Sequence, residues 1–553
     1  MTSIMSRCFC ILFSALSLTC VACACEGKTP EKTEPEFTIK GPSVIEADSD
    51  GMIQEYSVET SSDVTWRIVR KSVNTWSEAR PASGTGSGSF KITVQKNTTG
   101  NSRQMNYSAY VNGEERDAVI TVVQSGRRDT WDEKGDNLFH PTEGIKAFNS
   151  ARSVDYKRDG QAVLAIDVTE PIVIAVADKE YDWGFFQLPT IAMSKSGSIR
   201  VSWQFRYDTE ENVTSPEAEI PTTKVSLDGG STWIDSDIEI NSPDPYSVLL
   251  PDGDILTADT PTALDTAGLH LPKPVEKRED RCYYRYSELP TALQGVEMRR
   301  WDSRTGKASR FRASLDDPGS LRFSISYYFP IKWWGNMIID PSDNALYAVM
   351  YYSSYETADH KADKALSCSC YKSVNEGLSW TLKGKIPYVW DDTYDKDGPS
   401  RSYYGYSEPT FAILPDGSFY CVLRSDGPMY CTRSYDKGHT WTTPEVMAPN
   451  GVYPQLFRLA NGILCLKSGR PGEQLRFSLD GYGRTWTDPL DLIDYQADYD
   501  SGKGWTFNTC GYGEVAICSD NSFYITYSDF RHKTESGTFR KAILFRKVTV
   551  NKY

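Results

Sequence analysis

Apolar and polar residues alternate along most of this chain, and the alternation changes character once. Between about residues 37 and 125 it has a period of two, in FTIKGPSVIEA, IQEYSVETS, DVTWRIVR, SFKITVQKN, MNYSAYVNG and DAVITVVQSG, with Gly, Asn and Asp at the breaks. That period sends successive side chains to opposite faces of a strand. About seven short strands in such a length predict a small Ig-like β-sandwich. From about residue 140 to 553 the unit is an apolar strand, a tight turn and a second apolar strand. The turns are SKSG (194–197), PDGD (251–254), PSDN (341–344), PDGS (415–418), ANGI (460–463) and SDNS (519–522), and successive starts differ by 57, 90, 74, 45 and 59 residues. Six hairpins at blade-sized spacing predict a six-bladed β-propeller, with long loops in the second and third blades.

A second motif falls inside the same repeat. SLDGGSTW (226–233), SVNEGLSW (373–380), SYDKGHTW (434–441) and SLDGYGRTW (478–486) share the pattern Ser-x-Asp-x-Gly-x-Thr/Ser-Trp. The second has Asn375 in place of Asp, and the last carries one extra residue. These are Asp-boxes. The Asp ties a tight turn through backbone N–H groups, Gly supplies an unusual φ, and Trp packs between blades. Four copies speak for fold and say nothing of catalysis.

Composition narrows the chemistry. With 33 Tyr, 14 Trp and 40 Gly spread along 553 residues, the chain is all-β in character. Sixty basic against 74 acidic residues give a net charge of −14, which argues against a sequence-independent nucleic-acid binder. Five histidines and no CxxC pair argue against a His-rich metal centre or a thiolate zinc site, so no metal or cofactor is expected. Residues 1–25 read as an export signal: Arg7, then the apolar run CFCILFSALSLTCVACAC, then polar sequence. Small residues around Cys23 and Cys25 resemble a bacterial lipoprotein signal, which would lipid-anchor the protein at the outer membrane. Residues 26–36 are a Pro/Glu/Lys/Thr tether. Eight cysteines remain in the body, most in strand-like runs where a buried free thiol is the expected state.

Two resemblances follow from these motifs. Trp66, Trp76, the SGTGSGS run and the closing ITVVQSG make residues 37–125 similar to the BACON domain of gut Bacteroidetes carbohydrate-processing proteins, a spacer or glycan-adjacent module. Over about 180–553 the chain resembles the sialidase superfamily. That family attacks with a Tyr whose proton is taken by a Glu, uses an Asp as acid and base, and clamps a substrate carboxylate with three Arg. An ordinary Tyr pKa near 10 makes the neighbouring carboxylate necessary.

Carried over residue by residue, the resemblance puts Glu408 (YSEPTFAILPDG) at the base, Tyr512 (CGYGEVAI) at the nucleophile and Asp208 (WQFRYDTEEN) at the acid, with Glu210 or Glu211 as alternatives for the acid. Arg424 and Arg470 match clamp positions, with Arg476 as the fallback for Arg470, and Arg206 lies where the family has an Arg. One departure matters: the first blade reads Phe186-Gln187-Leu188-Pro189, so Gln187 stands where the family carries a clamp Arg. Gln hydrogen-bonds but brings no charge. Trp333, Trp334 and Tyr352 form a candidate sugar-stacking platform, with core packing as the alternative. The function implied is a retaining, exo-acting glycoside hydrolase of a complex glycan. Its alternatives are a true sialidase with Gln187 compensated, and a non-catalytic glycan-binding lipoprotein.

Overall fold

The computed structural model describes residues 35–71, 76–97, 103–124, 139–140, 148–158, 161–208, 222–236, 238, 240, 246–259, 264–266, 268–278, 281–325, 328–329, 333–363, 365–389, 404–494 and 508–553. The export signal with Cys23 and Cys25, nearly all of the tether, and Glu210 and Glu211 lie outside the described residues.

The N-terminal alternation becomes two sheets around one core. Phe37–Lys40, Met52–Thr60, Gly88–Val94 and Ser77–Arg80 form a four-stranded sheet. Val44–Ala47, Glu114–Gln124, Arg103–Val111, Thr65–Arg70 and Ser83–Thr85 form a five-stranded one. Tyr56, Phe90 and Ile92 of the first sheet meet Trp66, Ile68, Tyr107 and Val122 of the second. Burial of this apolar set, at about 25 cal/mol per Å² removed from water, is what holds the unit together.

Among the described residues, the rest of the chain builds six sheets in sequence order, each of antiparallel neighbours. The first runs Phe185–Met193, Ile199–Phe205, Thr223–Ser226, Ile234–Asp235. The second runs Ser247–Leu249, Ile255–Ala258, Val296–Asp302, Lys307–Asp316. The third is Trp334–Asp340, Ala345–Tyr355, Ala365–Ser373, Ser379–Ile386. Second and third also join edge to edge, where Ser314–Asp316 pairs in parallel with Ser379–Thr381. The fourth and fifth are Ser407–Ile413, Phe419–Arg424, Met429–Ser434, Glu445–Ala448, and Val452–Arg458, Leu464–Gly469, Glu473–Ser478, Leu490–Asp491. The sixth is Glu514–Ile517, Ser522–Lys533 and Phe539–Lys552, completed by the early strands Gln161–Val168 and Arg152–Arg158. Each of the six turns read from the sequence joins the first strand of a sheet to its second. The long second and third intervals carry added strands, among them Arg281–Arg285 paired with Ser320–Ile325.

Three of the four boxes fold alike, while in the fourth, with its extra residue, Asp480 accepts the Tyr482 N–H at 2.8 Å instead. Asp228 accepts the Thr232 N–H at 2.9 Å and Asp436 the Thr440 N–H at 2.8 Å, while Asn375 accepts the Ser379 N–H at 3.0 Å without a charge. Each box Trp docks on the sheet before its own. Trp233 meets Phe545, Trp380 enters the core of the second and third sheets, Trp441 packs on the third and fourth, and Trp486 stacks on Tyr420. The eight body cysteines are all free thiols. Arg546, 0% exposed, secures the early strands to the last: it donates to the carbonyls of Thr169, Phe148 and Ser150 at 2.7–2.9 Å.

Candidate active site

The polar candidates gather where first strands begin and second strands end. Arg206, Arg424 and Arg470 hold the same place in their sheets, at or just after the end of the second strand. Glu408 and Tyr453 hold equivalent places near the start of the first strand in the fourth and fifth sheets, each at positive φ (45° and 49°) and each followed by Pro. The ladder shifts register across both, between Ser407 and Thr410 and between Val452 and Gln455. Such a bulge re-aims a side chain out of the strand's alternation.

Tyr512, just ahead of the first strand of the sixth sheet, meets Glu408 directly. Its hydroxyl donates to Glu408 Oε1 at 2.6 Å. Arg424 Nη1 donates both to that carboxylate oxygen (2.5 Å) and to the Tyr512 hydroxyl (2.6 Å). The other carboxylate oxygen accepts the Tyr453 N–H at 2.7 Å. Register explains the arginine, because Arg424 pairs with Ser407 across the ladder and so lies beside Glu408. Burial, and then the Glu408 charge, push the Tyr512 phenol well above its ordinary value, with Arg424 and Arg470 opposing. Burial works against the Arg424 charge, but Glu408 and Tyr512 outweigh it and the guanidinium is held more firmly protonated than usual.

Arg470 lies over the Tyr512 ring (5.4 Å to its centroid) and over the Trp183 ring (5.8 Å), and its Nε donates to the Cys510 carbonyl. Two glycines permit this approach: a Cβ on Gly469 would stand 1.9 Å from the Gly511 carbonyl oxygen, so the two backbones touch only because neither carries a side chain. Arg476 is elsewhere, buried against Ser468 and Gln474, so of the two alternatives it is Arg470 that joins Arg424 at Tyr512. Asp208 joins the group indirectly. Its Oδ2 accepts the Trp183 indole N–H at 3.0 Å, and Trp183 is 38% exposed beneath Arg470. Gly184 makes room, since a Cβ there would meet the Arg206 carbonyl at 2.2 Å.

Arg206 has no side-chain partner among the described residues. Gln187 is 0% exposed and neither of its amide atoms has a hydrogen-bond partner. Trp334 packs with Tyr246, Tyr351 and Tyr453, and Tyr453 in turn lies 5.0 Å from the Tyr512 ring. Trp333 is core, against Tyr371 and Trp380. Below Tyr512 a fully buried pair, Lys467 and Glu473 (3.0 Å), holds both flanks of that residue: Lys467 donates to the Gly511 carbonyl and Glu473 accepts the Gly513 N–H. Sequence reasoning missed Trp183, Tyr453 and this pair. The signal for Tyr453 was present, in that Tyr453-Pro454 repeats the Glu408-Pro409 pattern at the same place in the next hairpin. Among the described residues no three His, Cys, Asp or Glu gather as a metal site, and no helix is long and apolar enough to cross a membrane.

Neither a protein-family model nor a curated protein matches the sequence. Among solved structures, the chain is similar to a protein of unknown function from Dyadobacter fermentans (17% identity, TM-score 0.46, covering 70% of this chain and 99% of that one). It is also similar to a mutant of the NanB sialidase from Streptococcus pneumoniae (13% identity, TM-score 0.36, 81% and 83% covered). A third neighbour is the intramolecular trans-sialidase from Ruminococcus gnavus in complex with oseltamivir carboxylate (14% identity, TM-score 0.23, 67% and 85% covered).

Proposed function

We propose that the six sheets are the blades of a β-propeller and that the protein is an exo-acting, retaining glycoside hydrolase of complex glycans, with the Tyr512–Glu408 pair at its centre. The observation that carries this reading is the shared contact of Tyr512, Glu408 and Arg424 within 2.6 Å. A phenol held neutral by burial is a poor nucleophile until its proton leaves. Glu408 Oε1 is placed to take that proton, and Arg424 is placed to stabilise the phenolate oxygen as it forms. The Tyr512 oxygen then bonds to the anomeric carbon while Asp208 protonates the departing oxygen. Water, deprotonated by Asp208, then bonds to the anomeric carbon as the bond to the Tyr512 oxygen breaks and Glu408 returns its proton to that oxygen, so configuration is retained.

Arg424 Nη2 and Arg470 supply positive charge for an acidic group on the substrate, with Trp183 and Trp334 as aromatic surface. Gln187 brings no charge where the resembled family carries a clamp Arg, so another sugar, acidic or neutral, is at least as well suited as sialic acid. We place the mature protein outside the cytoplasm on a lipid anchor, with the N-terminal sandwich as a BACON-like spacer.

The test is sugar release by residues 26–553 from a panel of host and plant glycans, with an α-sialoside as reference and Tyr512→Phe alongside. Release of a monosaccharide that disappears in the variant is the expected result. Glycan affinity without release by the wild type would overturn the hydrolase and leave a binding protein.

A further inference from the structure

Five of the six neighbouring sheet pairs are sealed by apolar side chains. Buried clusters join the first sheet to the sixth through Phe186, Trp203 and Phe545, and the second to the third through Met298 and Trp380. Tyr347 and Phe419 join the third to the fourth, Tyr420 and Leu466 the fourth to the fifth, and Phe457 and Phe523 the fifth to the sixth. Among the described residues no such cluster joins the first sheet to the second. In its place is a cavity of about 110 Å³, walled by Thr190, Arg200 and Ser202 on one side and Thr257, Arg299 and Trp301 on the other. Strand register builds these walls: Thr190 pairs with Ser202 and Ala192 with Arg200, while Thr257 pairs with Arg299 and Ile255 with Trp301. Each sheet therefore turns Thr, Ser and Arg side chains towards the gap, with Ala192 and Ile255 on the same faces and Ile191, Ile240 and Ala308 completing the lining.

The wall is rich in unmatched donors. Arg200 Nε and Trp301 Nε1 are buried without a hydrogen-bond partner, and neither group can accept. Neither Arg200 nor Arg299 has an ion pair among the described residues. The adjacent Arg300 shows the contrast, with Asp252, Asp254 and Glu376 around it. The one carboxylate in the wall, Glu514, has both oxygens engaged, by the Ile191 N–H at 2.7 Å and the Tyr453 hydroxyl at 3.3 Å. In a chain of net charge −14, the half-buried Arg200 with an orphaned Nε is a group that a bound anion would satisfy, and Arg299, at the exposed rim of the same gap, adds a second cation.

We propose that this seam is an oxyanion-binding site, separate from the Tyr512 cluster, that takes a carboxylate or sulfate group. Two guanidinium groups, an indole N–H and the Thr190 and Thr257 hydroxyls, with the Ser202 hydroxyl shared with Thr223, form a donor set matched to such a group, and the space admits one oxyanion with a few waters. The group arrives either as a free ion or as the acidic substituent of a sugar.

The test is thermal unfolding and calorimetric titration of the full-length protein with sodium sulfate against sodium chloride at matched ionic strength. Sulfate is expected to raise the melting temperature saturably by mass action. Arg299→Met and Arg200→Met are each expected to weaken sulfate at least tenfold. Arg470→Met, which removes the cation over Tyr512, is expected to leave the response intact. If Arg200→Met does not fold, Arg299→Met and Ser202→Ala carry the measurement. An unchanged response in the Arg200 and Arg299 variants, or its loss in Arg470→Met alone, overturns the proposal. Galacturonate against acetate, and a sulfated monosaccharide against sulfate, separate the sources. Tighter binding of the sugar forms assigns the site to a glycan, equal affinity assigns it to the free ion, and binding of none of them overturns it.

Discussion

Replacing Lys467 with methionine leaves the Glu473 carboxylate without its cation in a place where both side chains are 0% exposed. Breaking a buried pair by removing one partner costs about 3–5 kcal/mol, because the remaining charge has nowhere to go. At about 1.36 kcal/mol per tenfold change, that is roughly two to four powers of ten in the local opening equilibrium. The loss also depends on pH. Burial already pushes the Glu473 carboxyl up, against the pull of Lys467 and the Gly513 N–H. A carboxyl raised in the folded state contributes stability in acid that is lost as pH rises through its folded pKa. Without Lys467 it rises further, so the deficit is expected to be largest at neutral pH and to shrink on acidification. Hydrogen exchange of the Glu514–Ile517 strand, corrected for its intrinsic pH dependence, reads this directly. Lys467→Met/Glu473→Gln is expected to recover much of the protection, because an amide still accepts the Gly513 N–H. Unchanged exchange in Lys467→Met, or a double variant as labile as the single one, would refute the reasoning. Because the pair grips residues 511 and 513, turnover is expected to fall along with protection.

Three further outcomes follow from the same geometry. Glu408→Gln keeps a hydrogen-bond partner for Tyr512 but removes the proposed base, so steady-state kinetics are expected to show kcat down by about 10²–10⁴ with the fold intact by circular dichroism. Trp183→Phe keeps an aromatic ring but deletes the N–H donated to Asp208, so steady-state kinetics are expected to show kcat down with the fold intact; an unchanged kcat argues against Trp183 as the residue that positions Asp208. Asp228 is lowered to about 2, chiefly by the Thr232 hydroxyl, and Asp436 also to about 2, where burial resists but Thr440 prevails. Depressed acids stabilise above their unfolded pKa of about 3.9 and lose that contribution as pH falls through the folded value. Asp228→Asn/Asp436→Asn, which copies the natural Asn375 turn, is expected to flatten the decline in melting temperature over that interval.

The hairpin turns and Asp-boxes were legible because local chemistry dictates them: a Gly or Asn in a two-strand turn, and a Ser and Asp closing a loop on their own backbone. The meeting of Tyr512 with Glu408 was legible only through motif resemblance, since the two are 104 residues apart and nothing local links them. Lys467 escaped notice because ILCLKSG reads as a plain apolar strand, and a lone Lys there looks like an edge position rather than half of a buried pair. Trp183 was lost among 14 Trp, as its role depends on Gly184 letting two loops touch. The gap between the first two sheets could not be read at all. Alternating patterns place polar residues on a face but do not say that the facing sheet is polar too.

The contact of Arg546 with the Thr169 carbonyl spans 377 residues of chain. During synthesis, the strand Gln161–Val168 emerges from the ribosome long before its partner Phe539–Lys552 exists. Until then it presents an unpaired edge, the kind of surface that recruits other chains. Closing so large a loop is entropically costly and kinetically late. A chain that ends before Arg546 therefore lacks this clasp and leaves the Gln161–Val168 edge unpaired.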